Sequence, residues 1–105
     1  MHGVSNIFAG VSESDARETC AKLFDNSSVK IERIVSHFHA SPEGFWYDQV
    51  DDEWVMVLKG EATLEFAGGE FIDMKDGDYL LIPRGVKHRV ARTGAVTFWL
   101  AIHVK

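Results

Sequence analysis

A carboxylate, an imidazole and a nearby phenol and amide are the groups with which this chain could do chemistry. Glu53 lies in YDQVDDEWVMVLKG (Tyr47–Gly60), where a carboxylate-rich segment passes into an almost wholly apolar run and closes on a glycine. Side chains two apart on a strand share a face. Tyr47 and Gln49 therefore point together, and Glu53 points with Val55 and Val57, away from Trp54, Met56 and Leu58. A glutamate heading a face that carries two valines is either solvated at a sheet end or employed in a pocket. Downstream, Gly77, Pro83 and Gly85 precede His88. The glycines permit tight turns between paired strands and the proline stiffens the return, which brings His88 opposite Glu53 on an inner wall. A buried Glu–His pair is viable because each partner favours the other's charged form. It could be a hydrogen-bonded network. It could equally be a proton-transfer pair, with His88 as general acid/base and Glu53 as its orienter, suited to an isomerase or epimerase step.

Further candidates lie on neighbouring stretches. VKIERIVSHFH alternates, with Ile31, Arg33, Val35, His37 and His39 on one face and Glu32, Ile34, Ser36 and Phe38 on the other. The alternation does not decide which face is inside. Were the first face inward, Arg33 could clamp a substrate carboxylate, and His37 or His39 could supply an imidazole. On a regular strand Arg92 shares the face of His88, so Arg92 joins Arg33, His37 and His39 as a candidate substrate-binding residue, whereas Arg89 points the other way. His103 reads as a satisfied core or surface histidine, Cys20 as a small core residue, and Trp46, Trp54 and Trp99 as bulky core. No Ser-His-Asp set, phosphate loop or Cys-x-x-Cys occurs.

The elements that must position these groups are mostly strands. Residues 1–11 lack a sustained period and read as an extended lead-in tethered by Ile7, Phe8 and Val11. Ser12 opens SESDARETCAKLF, whose cap and apolar stripe (Ala16, Thr19, Cys20, Leu23) predict a helix packed on the body. From Val29 onward, short alternating or apolar runs are separated by turns at Ser41–Gly44, Gly60, Gly68-Gly69, Lys75–Asp78, Pro83–Gly85 and Gly94. This predicts an all-β sandwich or barrel over 29–105, with residues 1–28 as a lead-in and helix on its surface. WVMVL, YLLI and VTFWLAI are apolar on both faces, where a sheet with one wet face would alternate. The outward set is expected to be covered by the helix or by a second copy, making a homodimer.

The chain's 105 residues suit one domain, and its net charge of −5 argues against general nucleic-acid binding. No apolar run is long enough to cross a membrane and the N-terminus is not signal-like. The lone Cys20 cannot form an internal disulfide, which fits a reducing cytoplasm. The acidic cluster Glu43, Asp48, Asp51, Asp52 and Glu53 and the basic cluster Arg84, Lys87, Arg89 and Arg92 could pair across two loops.

Taken together, Glu53 leading to Gly60 and the unbroken G-x5-P-x-G-x2-H from Gly77 to His88 resemble the two motifs of the cupin superfamily. The likeness spans roughly Val29 to His103, and Arg92 replaces the asparagine expected past the histidine. The wording WYDQ–DEWV–LKG is similar to a group of small bacterial single-domain cupins. The resemblance implies a small jelly-roll β-barrel. It also implies one divalent metal (Zn, Fe, Mn or Ni) held by His-x-His, a carboxylate and a last histidine. On this chain those positions are Tyr47, Gln49, Glu53 and His88. Gln ligates only through an uncharged carbonyl oxygen, and Tyr ligates well only when ionised, at a pKa of about 10. His37 or His39 could supply a missing imidazole, and Asp48 or Asp51 a carboxylate. Three functions follow: a metal-dependent enzyme on a small organic molecule, a metal-free isomerase or epimerase, and a non-catalytic binding barrel.

Overall fold

A computed structural model describes residues 2–11 and 17–105, and every element in them is a strand. The strands are β1 (Glu18–Asp25), β2 (Val29–Ser36), β3 (Asp52–Lys59), β4 (Glu61–Phe66), β5 (Glu70–Lys75), β6 (Tyr79–Ile82), β7 (His88–Thr93) and β8 (Thr97–Val104). They form a five-stranded sheet in the order β1-β2-β8-β3-β6 and a three-stranded sheet in the order β5-β4-β7, all pairs antiparallel. Two sheets facing one another in this way are the all-β sandwich or barrel that the strand spacing predicted, of the small jelly-roll kind that the resemblance implied.

The core lies between the sheets. Val55 and Val57 of β3, Trp99 of β8 and Ile82 of β6 meet Ala62 and Leu64 of β4 and Met74 of β5. The alternation of β3 is as expected: Glu53, Val55 and Val57 are buried inside, while Trp54, Met56 and Leu58 face out and are half-covered. Gly60 is the tightest turn, at φ +114°, where a Cβ would lie 2.6 Å from the Val96 carbonyl oxygen. Only glycine suits both the backbone angle and the close approach.

The helix predicted from Ser12 is corrected over the residues that can be compared. Glu18–Asp25 is strand β1, an edge strand paired with β2, and 12–16 lie outside the described residues. Glu18 and Cys20 face Ser36 and Ile34 across the pair and turn inward with them. Long-range pairing to an open sheet edge outweighs a modest local helical pattern, because ladder hydrogen bonds and an inward face are available only there. The lead-in lies on the outer face of the five-stranded sheet: Phe8 packs edge-on against Phe98, and Arg33 donates to the carbonyls of Ile7 and Ala9.

Candidate proton-transfer pocket

Between the sheets lies a partly open pocket of about 210 Å³. Its polar groups come from five strands and one loop. Glu53 heads β3, and the register of β3 with β8 sets His103 directly across from it. Glu32 of β2 reaches the same spot, with its Oε1 accepting from His103 Nε2 at 2.9 Å. The opposite sheet supplies His88 at the start of β7, and β1 supplies Glu18.

The loop before β3 carries Tyr47 and Gln49. Tyr47 exchanges both backbone hydrogen bonds with His88 (2.7 and 3.1 Å), and the Gly85 amide donates to the Gln49 carbonyl at 2.9 Å. The chain from the Pro83–Gly85 turn to His88 thus runs antiparallel to Tyr47–Gln49. Tyr47 and Gln49 both line the pocket, and the Tyr47 ring stacks on the His88 ring at 5.4 Å.

At the centre Glu53 stands between two imidazoles. Its Oε1 lies 3.5 Å from His88 Nε2 and its Oε2 3.8 Å from His103 Nε2. All three residues are buried, Glu53 being 8% exposed and His88 4%. The second ring nitrogen of His88, Nδ1, lies 2.9 Å from the Val86 carbonyl, which can only accept. That fixes a proton on Nδ1 and leaves Nε2 as the exchangeable position. Burial alone would depress the His88 pKa, but Glu53 and the Val86 carbonyl outweigh it and raise the value. The hydrogen bond to Glu32 raises His103, and the same bond lowers Glu32. Burial, reinforced by the surrounding carboxylates, pushes Tyr47 up and Cys20 up to about 11, so the phenol and the thiol stay neutral. Burial likewise raises Glu18, with His39 opposing it from 3.2 Å.

Several candidates lie elsewhere. Arg33 points to the outer face, where it holds the lead-in, so it cannot clamp a ligand in the barrel. Its strand turns Glu32, Ile34 and Ser36 inward instead. His37 does not line the pocket, and His39 stands behind Glu18 rather than in the lining. Arg92 is corrected by a bulge. Leu64 pairs with Val90 but Thr63 pairs with Arg92, so Ala91 is the extra residue that reverses the alternation. Arg92 turns out to Glu61 (2.7 Å), while Val90 stays in the pocket. Of the two charged loops, Asp52 and Arg84 do pair. Sequence reasoning missed His103, Glu32 and Glu18. The available signal was strand parity: His103 follows Trp99 and Ala101 in the inward set of β8.

The donors fall short of the metal set that the resemblance implies. Among the described residues there is no group of three or more His, Cys, Asp or Glu placed to hold a metal ion. Tyr47 is a neutral phenol stacked on His88, and His37 and His39 do not reach the pocket. Gln49 lines the same pocket as Glu53 and His88, and its Oε1 is buried without a hydrogen-bond partner.

Comparison with known proteins agrees with this architecture. A family model described as "Cupin domain" matches residues 32–103. A protein from Ralstonia eutropha JMP134, provisionally called a mannose-6-phosphate isomerase, is 42% identical, with 99% of each chain covered and a TM-score of 0.92. A cupin superfamily protein from Desulfitobacterium hafniense DCB-2 is 18% identical over 90% of this chain and 83% of its own, with a TM-score of 0.76. A Streptococcus pyogenes protein of unknown function is 16% identical over 100% of this chain and 89% of its own, with a TM-score of 0.80. At those lower identities the likeness is one of fold. No curated protein matches.

Proposed function

This chain belongs to the cupin domain family, and from that premise we propose that its barrel binds a small organic molecule and moves a proton on it, as an isomerase or epimerase would. One observation carries the reading: Glu53 is set between the Nε2 atoms of His88 and His103 inside a largely apolar pocket. His88, with Nδ1 held by Val86, is the general acid/base; neutral, it accepts a proton at Nε2, and protonated, it returns one from the same atom. The Val86 carbonyl orients the ring through Nδ1, Glu53 stands 3.5 Å from Nε2 and stabilises the charged form, and His103, bonded to Glu32, lies on the far side of Glu53. The apolar walls lower the local polarity and strengthen these interactions. The isomerase in the name of the Ralstonia protein agrees with the reaction class and does not carry over its substrate.

The test is deuterium exchange into small carbonyl compounds in D2O, using protein treated with chelator. Exchange is expected in the wild type, with a drop of about 100-fold or more in His88→Ala. Exchange that is unchanged in His88→Ala would end the reading.

A divalent metal is the second reading, and the unpartnered Oε1 of Gln49, which lines the pocket with Glu53 and His88, favours it. Metal analysis of protein purified without added ions, with Glu53→Gln and His88→Ala as controls, decides between the two. About one ion per chain in the wild type, lost in both variants, would establish the metal.

The assembly proposed for this chain is a homodimer in a reducing cytoplasm. Ile31, Trp54, Leu81 and Ile102 form one apolar row across the outer face of the five-stranded sheet, and Met56, Tyr79 and Leu100 continue it. The exposure of Leu81 and Tyr79 supports a second copy on that face.

A further inference from the structure

The charge of the pocket identifies the class of molecule it takes. Its lining includes three carboxylates, Glu18, Glu32 and Glu53, but no lysine or arginine among the described residues. Lys30 lies on the face of Glu32 but outside the lining, and Arg33 and Arg92 point away from the barrel. His103 Nε2 is bonded to Glu32, and His88 Nε2 faces Glu53 at 3.5 Å. A phosphate or carboxylate entering here would lose its hydration, meet no guanidinium or ammonium, and face carboxylates that outnumber the two imidazoles. The acceptors, by contrast, are in surplus: Gln49 Oε1 is buried with no donor. The remaining wall is apolar, built from Ile34, Val55, Leu64, Ile82, Val90 and Trp99. A polyol would leave hydroxyl groups unpaired against that wall, whereas a short hydrocarbon body would fill it.

We infer that the ligand is a small amine with an apolar body of a few carbons, its ammonium directed to Gln49 Oε1 and the carboxylates and its hydrocarbon to the aliphatic wall. The inference rests on the proposed small-molecule site and names what that site recognises. It also sets this pocket apart from one built for a sugar phosphate.

Calorimetric titration with cyclohexylamine, cyclohexanol, cyclohexanecarboxylate and mannose 6-phosphate tests it, because the first three differ almost only in the polar group. Cyclohexylamine is expected to bind about tenfold or more tighter than the alcohol, with the two anions weaker still. Glu32→Gln and Glu18→Gln, each verified as folded by thermal unfolding, are expected to narrow the gap between amine and alcohol. Equal binding of amine and alcohol, tighter binding of either anion, or binding of none of the four would overturn the inference. Those results leave the acid–base reading to its own test, which is exchange in His88→Ala.

Discussion

His88 and His103 are both imidazoles raised by a carboxylate, yet they are built differently. His88 has one nitrogen closed by the Val86 carbonyl and the other turned to Glu53 across the pocket. His103 is bonded through Nε2 to Glu32 at 2.9 Å and takes its shift chiefly from that bond. A histidine raised above its ordinary value of 6.5 contributes stability that is complete below the unfolded value and is lost as pH rises through the folded one. Glu32, lowered from 4.5, contributes above its unfolded value and loses it as pH falls through the folded one. The pair therefore stabilises most between those limits. The excess thermal stability of wild type over His103→Gln is expected to be largest near about pH 6 and to shrink toward about pH 9. A gap of constant size across that range would show that the bond carries no charge. At this scale Tyr47, Gln49, Glu53 and His88 were legible in the sequence, because strand parity and the glycine–proline return fix where they point. Glu32 was not, because the alternation of VKIERIVSHFH has two equally plausible faces until β8 is paired with it, and His103 was signalled only by its parity with Trp99 and Ala101.

The elements set those directions, and two irregularities matter most. The β-bulge at Ala91 reverses the parity of β7 between Val90 and Arg92, so an arginine that a regular strand would put in the pocket reaches Glu61 instead. Nothing in KHRVAR marks a bulge, since the extra residue is defined by the partner strand β4. The other irregularity, the turn at Gly60, was legible as a turn but not in its severity. With φ at +114° and backbone atoms of Val96 and Thr97 within 2.8 Å of where a methyl group would stand, any side chain forces strand β8 away from β3. Gly60→Ala is expected to cost about 2–4 kcal/mol, read as a fall in the urea midpoint at unchanged slope. A loss below about 0.5 kcal/mol would mean that the turn relaxes freely. Strand β1 teaches the reverse lesson. Its composition tolerates a helix, and pairing with the edge of β2 decides the matter.

Across the whole molecule the two sheets have different tasks. The inner faces enclose the pocket, while the outer face of the five-stranded sheet carries the apolar row from Ile31 to Leu81. The doubly apolar strands announced that face in the sequence, and the predicted helical cover is absent over 18–25, which are strand. Light scattering coupled to size exclusion is expected to give the mass of two chains at micromolar concentration, and Leu81→Lys is expected to shift the protein to one. A wild type that remains a single chain would contradict the dimer. The family fold was legible because motifs in Gly, Pro and His encode turn geometry; the chemistry was less so, because it depends on which strands meet. The proposed function turns on the Glu53–His88 pair, and the most direct measurement is an NMR titration of the His88 ring in chelator-treated protein, with Glu53→Gln alongside. The expected result is a wild-type pKa above 6.5 that falls in Glu53→Gln, where only the Val86 carbonyl is left to oppose burial. A His88 that titrates at or below 6.5 in the wild type, or identically in both proteins, would contradict it.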